Sequence, residues 1–236
     1  RFLNKNKNRI KDKPIKPIEK REYYSQSGAQ KRMFVLKQLD KDLIGYNDSG
    51  IINLGTGADK DLIEKTFKKL ALRHESFRTS FHMINESPVQ KISDTVMFEL
   101  EEYHLDSRAG LPYLKKRFTR PFDLGKVPLL RAGYVEIKEG APVLLIDMHH
   151  IINDGVSYEL MEREFMSLYA GHSLPPLPIQ YKDFTCWQQS SEQVQKMDQQ
   201  EAYWLSEFEG DIPVLELPMD YPRPKTQSFV GAAVNF

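Results

Sequence analysis

The spacing of apolar residues switches along the chain between a helical and a two-residue period. Over residues 59–74, Ile63, Phe67, Leu70 and Ala71 recur at i, i+4, i+7 and i+8 behind a capping Asp59, which predicts a helix. Phe77, Thr79, Phe81 and Met83 then alternate with Arg78, Ser80 and His82, the pattern of a half-buried strand. Further strands are expected near 97–103, over 129–137 and over 142–148, with a helix near 111–119. Val143-Leu144-Leu145-Ile146 is apolar on both faces, as suits a central strand covered on both sides. A second amphipathic helix is expected over 156–170, with Met161, Phe165, Leu168 and Tyr169 on one face and Gly171 as its C-cap. Residues 31–39, with Met33, Phe34, Leu36 and Leu39, read as a short buried segment, and 174–178 as a stiff proline connector. A helical region is expected from about 181 to 208, a proline-punctuated crossing segment over 212–224 and a strand-like run over 229–236. Strands and helices mix without strict alternation, so the expected fold class is α/β, a two-layer sandwich.

Composition narrows the function classes. The chain has 236 residues, 40% of them hydrophobic, and 33 basic side chains balance 33 acidic ones, as in a folded protein of one large or two small domains. No run approaches the roughly 20 apolar residues of a bilayer span, and no apolar stretch follows the basic start, so no membrane partner is expected and the cytoplasm is the simplest compartment. The single cysteine, Cys186, excludes an internal disulfide framework and a multi-cysteine zinc site, and reads as a small buried hydrophobe. The neutral total hides an asymmetry: residues 1–21 carry a balance of +7 and the remainder −7. With Pro14 and Pro17, and Phe2 as its one aromatic, the basic stretch reads as an extended linker rather than a nucleic-acid arm.

The chemically informative stretch is Met148-His149-His150-Ile151-Ile152-Asn153-Asp154-Gly155-Val156-Ser157, where a buried strand gives way to a helix. Imidazole can accept a proton near neutral pH without strong tuning. Neighbours on a strand point to opposite faces, so one of His149 and His150 faces a cavity while the other is packed. Asp154 either caps the helix or pairs with an arginine, and Gly155 permits a conformation or a close approach that a Cβ would forbid. General-base chemistry, a purely structural role and a metal site all remain open at this level, metal being disfavoured because adjacent strand residues diverge. The G-x-G at Gly55 and Gly57 lacks the third glycine of a nucleotide-binding turn.

Four separated stretches together resemble one family. Ser27-Gly-Ala-Gln-Lys-Arg-Met-Phe-Val-Leu36 is similar to an S-x-A-Q-x-R-M-x-x-L opening. Arg73-His-Glu-Ser-Phe-Arg-Thr-Ser-Phe81 resembles R-H-E-x-L-R-T-x-F, with Phe77 for the usual leucine. The stretch 148–157 contains H-H-x-x-x-D-G in full, and Tyr181-Lys-Asp-Phe-Thr-Cys-Trp187 resembles Y-x-D-F-x-x-W. The chain is thereby identified as resembling the condensation domain of nonribosomal peptide synthetases, whose lobes are chloramphenicol acetyltransferase-like.

That resemblance implies peptide-bond formation: the amine of a downstream carrier-bound aminoacyl group attacks an upstream carrier-bound aminoacyl or peptidyl thioester. The domain would bind no cofactor of its own; its substrates ride on the 4'-phosphopantetheine of carrier proteins. His150 would face the reaction tunnel and His149 would be its packed partner. Asp154 would pair with an arginine, for which Arg78 and Arg131 are the candidates, and Gly155 would approach the thioester and help hold the oxyanion. Partners would be upstream and downstream peptidyl carrier proteins, an adjacent adenylation domain and a second, C-terminal lobe. Residues 1–22 would be the linker from an upstream carrier domain, 23–210 the N-terminal lobe and 211–236 the crossover to the second lobe. Without that lobe the fragment is expected to be inactive and to expose an apolar face. An epimerization domain and a non-catalytic recruitment module of the same fold are the alternatives, the motif over 181–187 favouring condensation. Val156 leans towards an L-configured donor.

Overall fold

A computed structural model describes residues 14–222 and 225. The strand-like run over 229–236 and the first residues of the basic stretch lie outside the described residues. The chain forms two units, Arg1–Ser190 and Ser191–Phe236.

In the first unit a four-stranded sheet has the order β2-β7-β6-β5, formed by Asn47–Asn53, Val143–His149, Leu130–Ile137 and Glu101–Leu105. β7 pairs antiparallel with both neighbours, while β5 runs parallel to β6. Every residue of β7 is buried, because its faces serve two cores. Leu144, Ile146 and Met148 meet helices α2 (Lys60–Arg73) and α4 (Gly155–Tyr169); Val143 and Leu145 meet α3 (Leu111–Phe118) on the opposite face. The α/β sandwich expected from the pattern is thus present, with α3 as further cover.

Local signals explain the helix ends. The Asp59 side chain accepts from Leu62 N–H at the start of α2, and His74 closes its end. α4 ends in a Schellman arrangement: Gly171 has φ +84°, and the N–H groups of His172 and Gly171 bond the carbonyls of Ser167 and Leu168. Residues 31–39, read as a buried segment, belong to helix α1 (Gly28–Leu39), which opens on a reciprocal capping box between Ser27 and Gln30. Phe34 is buried, but Leu36 and Leu39 are exposed.

A smaller sheet has the order β1-β4-β3, from Tyr24–Ser25, Ser87–Ile92 and Thr79–Ile84. The chain enters β3 through a short 3-10 turn, Glu75–Arg78, where a continuous strand from Phe77 is predicted. β3 and β4 form a hairpin turned by Asn85 and Glu86, both at positive φ. Pro88 lies in β4 but beyond the two residues that pair with β1, where its missing N–H costs no ladder bond on that side. β2 and β4 are not predicted from the sequence pattern.

The helical region expected from 181 is two helices, α5 (Tyr181–Gln188) and, in the second unit, α6 (Ser191–Glu207). Within α6 and just beyond it, the rings of Tyr203, Trp204 and Phe208 contact one another in series. The basic stretch is anchored before the fold begins: Ile18 N–H donates to buried Asp183, and Lys20 reaches Asp94. Cys186 is half-buried on α5 rather than fully buried.

Candidate active site

His149 is the last residue of β7, paired with Asn47 and fully enclosed. Its Nδ1 accepts the Ile151 N–H at 3.1 Å, so the neutral ring carries its proton on Nε2. Burial, reinforced by Lys37 and His150, lowers its pKa to about 4. Its carbonyl accepts from Ile152 N–H and from Asn153 Nδ2, each at 3.1 Å, which fixes the turn that follows. His149 is therefore a packed, neutral structural element.

His150 leaves the ladder. Its backbone N–H donates to the Tyr46 carbonyl at 2.8 Å, and its ring turns to Asp48, with Nδ1 and Oδ2 2.8 Å apart. A carboxylate only accepts, so Nδ1 donates, and in the neutral ring Nε2 carries the lone pair, with no hydrogen-bond partner among the described residues. The side chain is 42% exposed and lines two cavities. One, of about 320 Å³, is bounded by Gln30, Met33, Phe81, Gln90 and Tyr181. The other, of about 550 Å³, is bounded by Ser49, Gly50, Gly155, Tyr158 and Glu159. Asp48 is absent from the sequence-based reading, because it comes to His150 only through the unpredicted strand β2.

Asp154 caps α4 instead of pairing with an arginine. Its Oδ1 accepts from Ser157 N–H at 2.8 Å and from Ser157 Oγ at 2.6 Å, bonds that hold the carboxyl below its usual range. Both candidate arginines are engaged elsewhere. Arg131 pairs with Asp147, 3.0 Å away and fully buried, because β6 and β7 place the two directly opposite. Arg78 bonds the Ser93 carbonyl and lies 3.6 Å from Glu75. Gly155 is the first residue of α4, and an added Cβ there meets nothing within 4 Å. The described residues themselves therefore do not require glycine at 155.

The other sequence motifs brace the fold. Ser27 Oγ lies 3.1 Å from the Tyr181 hydroxyl. Arg73 and His74 converge on Glu164 of α4, at 2.9 and 2.6 Å, and Glu75 bonds Lys182 of α5. Asp183 accepts from Gln180 N–H as well as Ile18 N–H. Among the described residues no cluster of three or more His, Cys, Asp or Glu could hold a metal ion, and no helix is long and apolar enough to cross a membrane.

Comparison with known proteins converges on this arrangement. The family described as "Condensation domain" matches residues 20–236. Tyrocidine synthase 3 of Brevibacillus parabrevis is 46% identical over 217 residues, covering 92% of this chain and 3% of the relative. Bacitracin synthase 2 of Bacillus licheniformis is 44% identical, covering 94% of this chain and 8% of the relative. Among solved structures, the X-domain from teicoplanin biosynthesis superposes with TM-score 0.78 at 23% identity, over 90% of this chain and 49% of that one. The condensation domain of the Monacolin K polyketide synthase MokA gives 0.71 at 20% identity, over 82% and 44%. The chain thus spans a small part of its curated relatives and just under half of these structural neighbours. It belongs to the condensation-domain family of nonribosomal peptide synthetases and has the chloramphenicol acetyltransferase-like fold.

Proposed function

We propose that this lobe carries the catalytic histidine of a peptide-bond-forming condensation domain. The observation that carries the reading is His150, its Nδ1 engaged by Asp48, standing where two cavities meet. In this reading one cavity receives the donor thioester and the other the acceptor amine. The amine nitrogen bonds to the thioester carbon, and His150 Nε2 takes a proton from the adduct. The C–S bond breaks, and the proton passes to the departing pantetheine thiolate. An α-amine has a pKa of about 7.7–8.0, so a useful fraction is neutral near pH 7 and His150 need only remove the proton after attack. In this reading Gly155, the first residue of α4 with open space beside it, presents its backbone N–H to the developing oxyanion.

The same reading assigns upstream and downstream carrier proteins, an adenylation domain and a second lobe as partners, with a cytoplasmic location. It makes this fragment inactive by itself, since the far side of each cavity would come from the second lobe. A recruitment module is the second reading, favoured by the likeness to an X-domain whose solved complex is with OxyB.

The test joins this lobe to its second lobe and supplies aminoacyl-loaded carriers, with carrier-bound dipeptide followed by intact-protein mass spectrometry. Dipeptide from the parent but not from a folded His150→Ala variant supports condensation. Inverted α-carbon configuration of the donor without dipeptide points to epimerization, and neither product points to recruitment. Gly155→Ala keeps the N–H but sets a Cβ in the open space where the thioester would approach, so it should leave the melting temperature unchanged while lowering kcat about tenfold or more.

A further inference from the structure

We propose that Asp48 is the positioning residue of this site: it holds the His150 ring in the Nδ1–H tautomer and aims Nε2 between the two cavities. The inference rests on the condensation reading of His150 for its kinetic consequence, though not for its geometry.

Three observations lead to it. First, β2 grips His150 at two points, through the Tyr46 carbonyl just before the strand and through Asp48 within it. Alternation along β2 puts Asp48, Gly50 and Ile52 on one face, and Ile52 packs in the core shared with α4. Asp48 is therefore on the α4 side of the sheet, where His150 emerges.

Second, the carboxylate that the motif itself supplies is occupied. Asp154 is committed to Ser157 at the start of α4, and the His150 Nδ1 partner is Asp48.

Third, Asn47-Asp48-Ser49-Gly50 is a poor strand sequence, since Asn, Asp and Gly are all depleted in strands. Local preference that conflicts with the adopted structure is where a functional constraint is expected. Asn47 answers to Asp147, bonding its carboxylate at 3.0 and 3.1 Å, and Asp48 answers to His150.

The consequence is directional. With Nδ1 committed as donor, the neutral ring presents an acceptor to the adduct; in the other tautomer it would present N–H and could not take the proton. Both side chains are about two-fifths exposed, so orientation and tautomer dominate over the screened charge interaction.

The test uses Asp48→Ala in the complete two-lobed domain, with imidazole 15N shifts of His150 read at a pH where the ring is neutral. We expect the shifts to move from the Nδ1–H towards the Nε2–H pattern. kcat should fall about 10–100-fold, comparable to loss of a carboxylate that orients a ligating histidine, with KM for both loaded carriers within about twofold. Asp48→Asn, which keeps an acceptor oxygen without the charge, should lie between parent and Ala in both readouts. Retention of the parental tautomer by a folded Asp48→Ala variant overturns the proposal, and so does an unchanged kcat. Full activity of His150→Ala would instead defeat the base reading, leaving the tautomer measurement to decide the Asp48 contact by itself.

Discussion

Arg131 faces Asp147 directly across the β6–β7 ladder, its Nη1 3.0 Å from Oδ2, while its guanidinium lies 3.6 Å from the centre of the Phe122 ring. Burial pushes each group towards its neutral form, and their mutual attraction opposes this. Removing only one partner leaves an uncompensated charge at the Arg131–Asp147 pair, two residues along β7 from His149. Asp147→Ala should therefore lower stability by about 3 kcal/mol, whereas Arg131→Met with Asp147→Leu should cost much less. Urea unfolding of the single and double variants measures the coupling; strict additivity would refute it.

His149 makes stability depend on pH. Its folded pKa of about 4 lies below the unfolded value near 6.5, so the unfolded chain binds more protons between them and stability falls as pH drops. Between pH 7.5 and 5.5 this one group should remove about 1.4 kcal/mol. His149→Asn, which keeps an acceptor near the Nδ1 position but cannot titrate there, should lose that part of the slope. Denaturant midpoints at the two pH values, compared between parent and variant, provide the check.

Asp154 stabilises α4 as its cap. Asp154→Ala should cost about 1 kcal/mol and Asp154→Ser only a fraction of it, since serine also caps well. Equal losses in thermal unfolding would mean that the carboxylate has a partner other than the α4 N-terminus.

Glu164 ties α4 to the end of α2. Burial opposes its ionisation, but hydrogen bonds from Arg73 and His74 hold its pKa below the ordinary carboxylate value. Its contribution is accordingly present above the unfolded pKa and lost as pH falls through the folded one. Glu164→Gln should destabilise the fold by about 3 kcal/mol at pH 7, with the difference from parent shrinking in acid. Chemical denaturation at pH 7 and pH 4 tests both the size and the sign.

The helices were legible because their signals are local. Asp59 with the apolar spacing behind it fixes α2, and Gly171 fixes the end of α4. Even the capping box of α1 is written in Ser27 and Gln30, although residues 31–39 read only as a buried segment. The doubly apolar run of β7 likewise announced the centre of the sheet. β2 announced nothing, because Asn47, Asp48, Ser49 and Gly50 become a strand only against β7.

What the sequence determined by itself was therefore the set of strong local elements and, through four motifs, the family, with His150 singled out as a candidate. Which carboxylate serves that histidine was a tertiary decision. Asp154, four residues away, is the nearer carboxylate in sequence, but the helix start claims it through Ser157. Asp48 is 102 positions distant in the chain and reaches His150 because seven backbone pairs lay β2 along β7. A hydrogen bond depends on separation in space, and strand pairing sets that separation with no trace in local spacing.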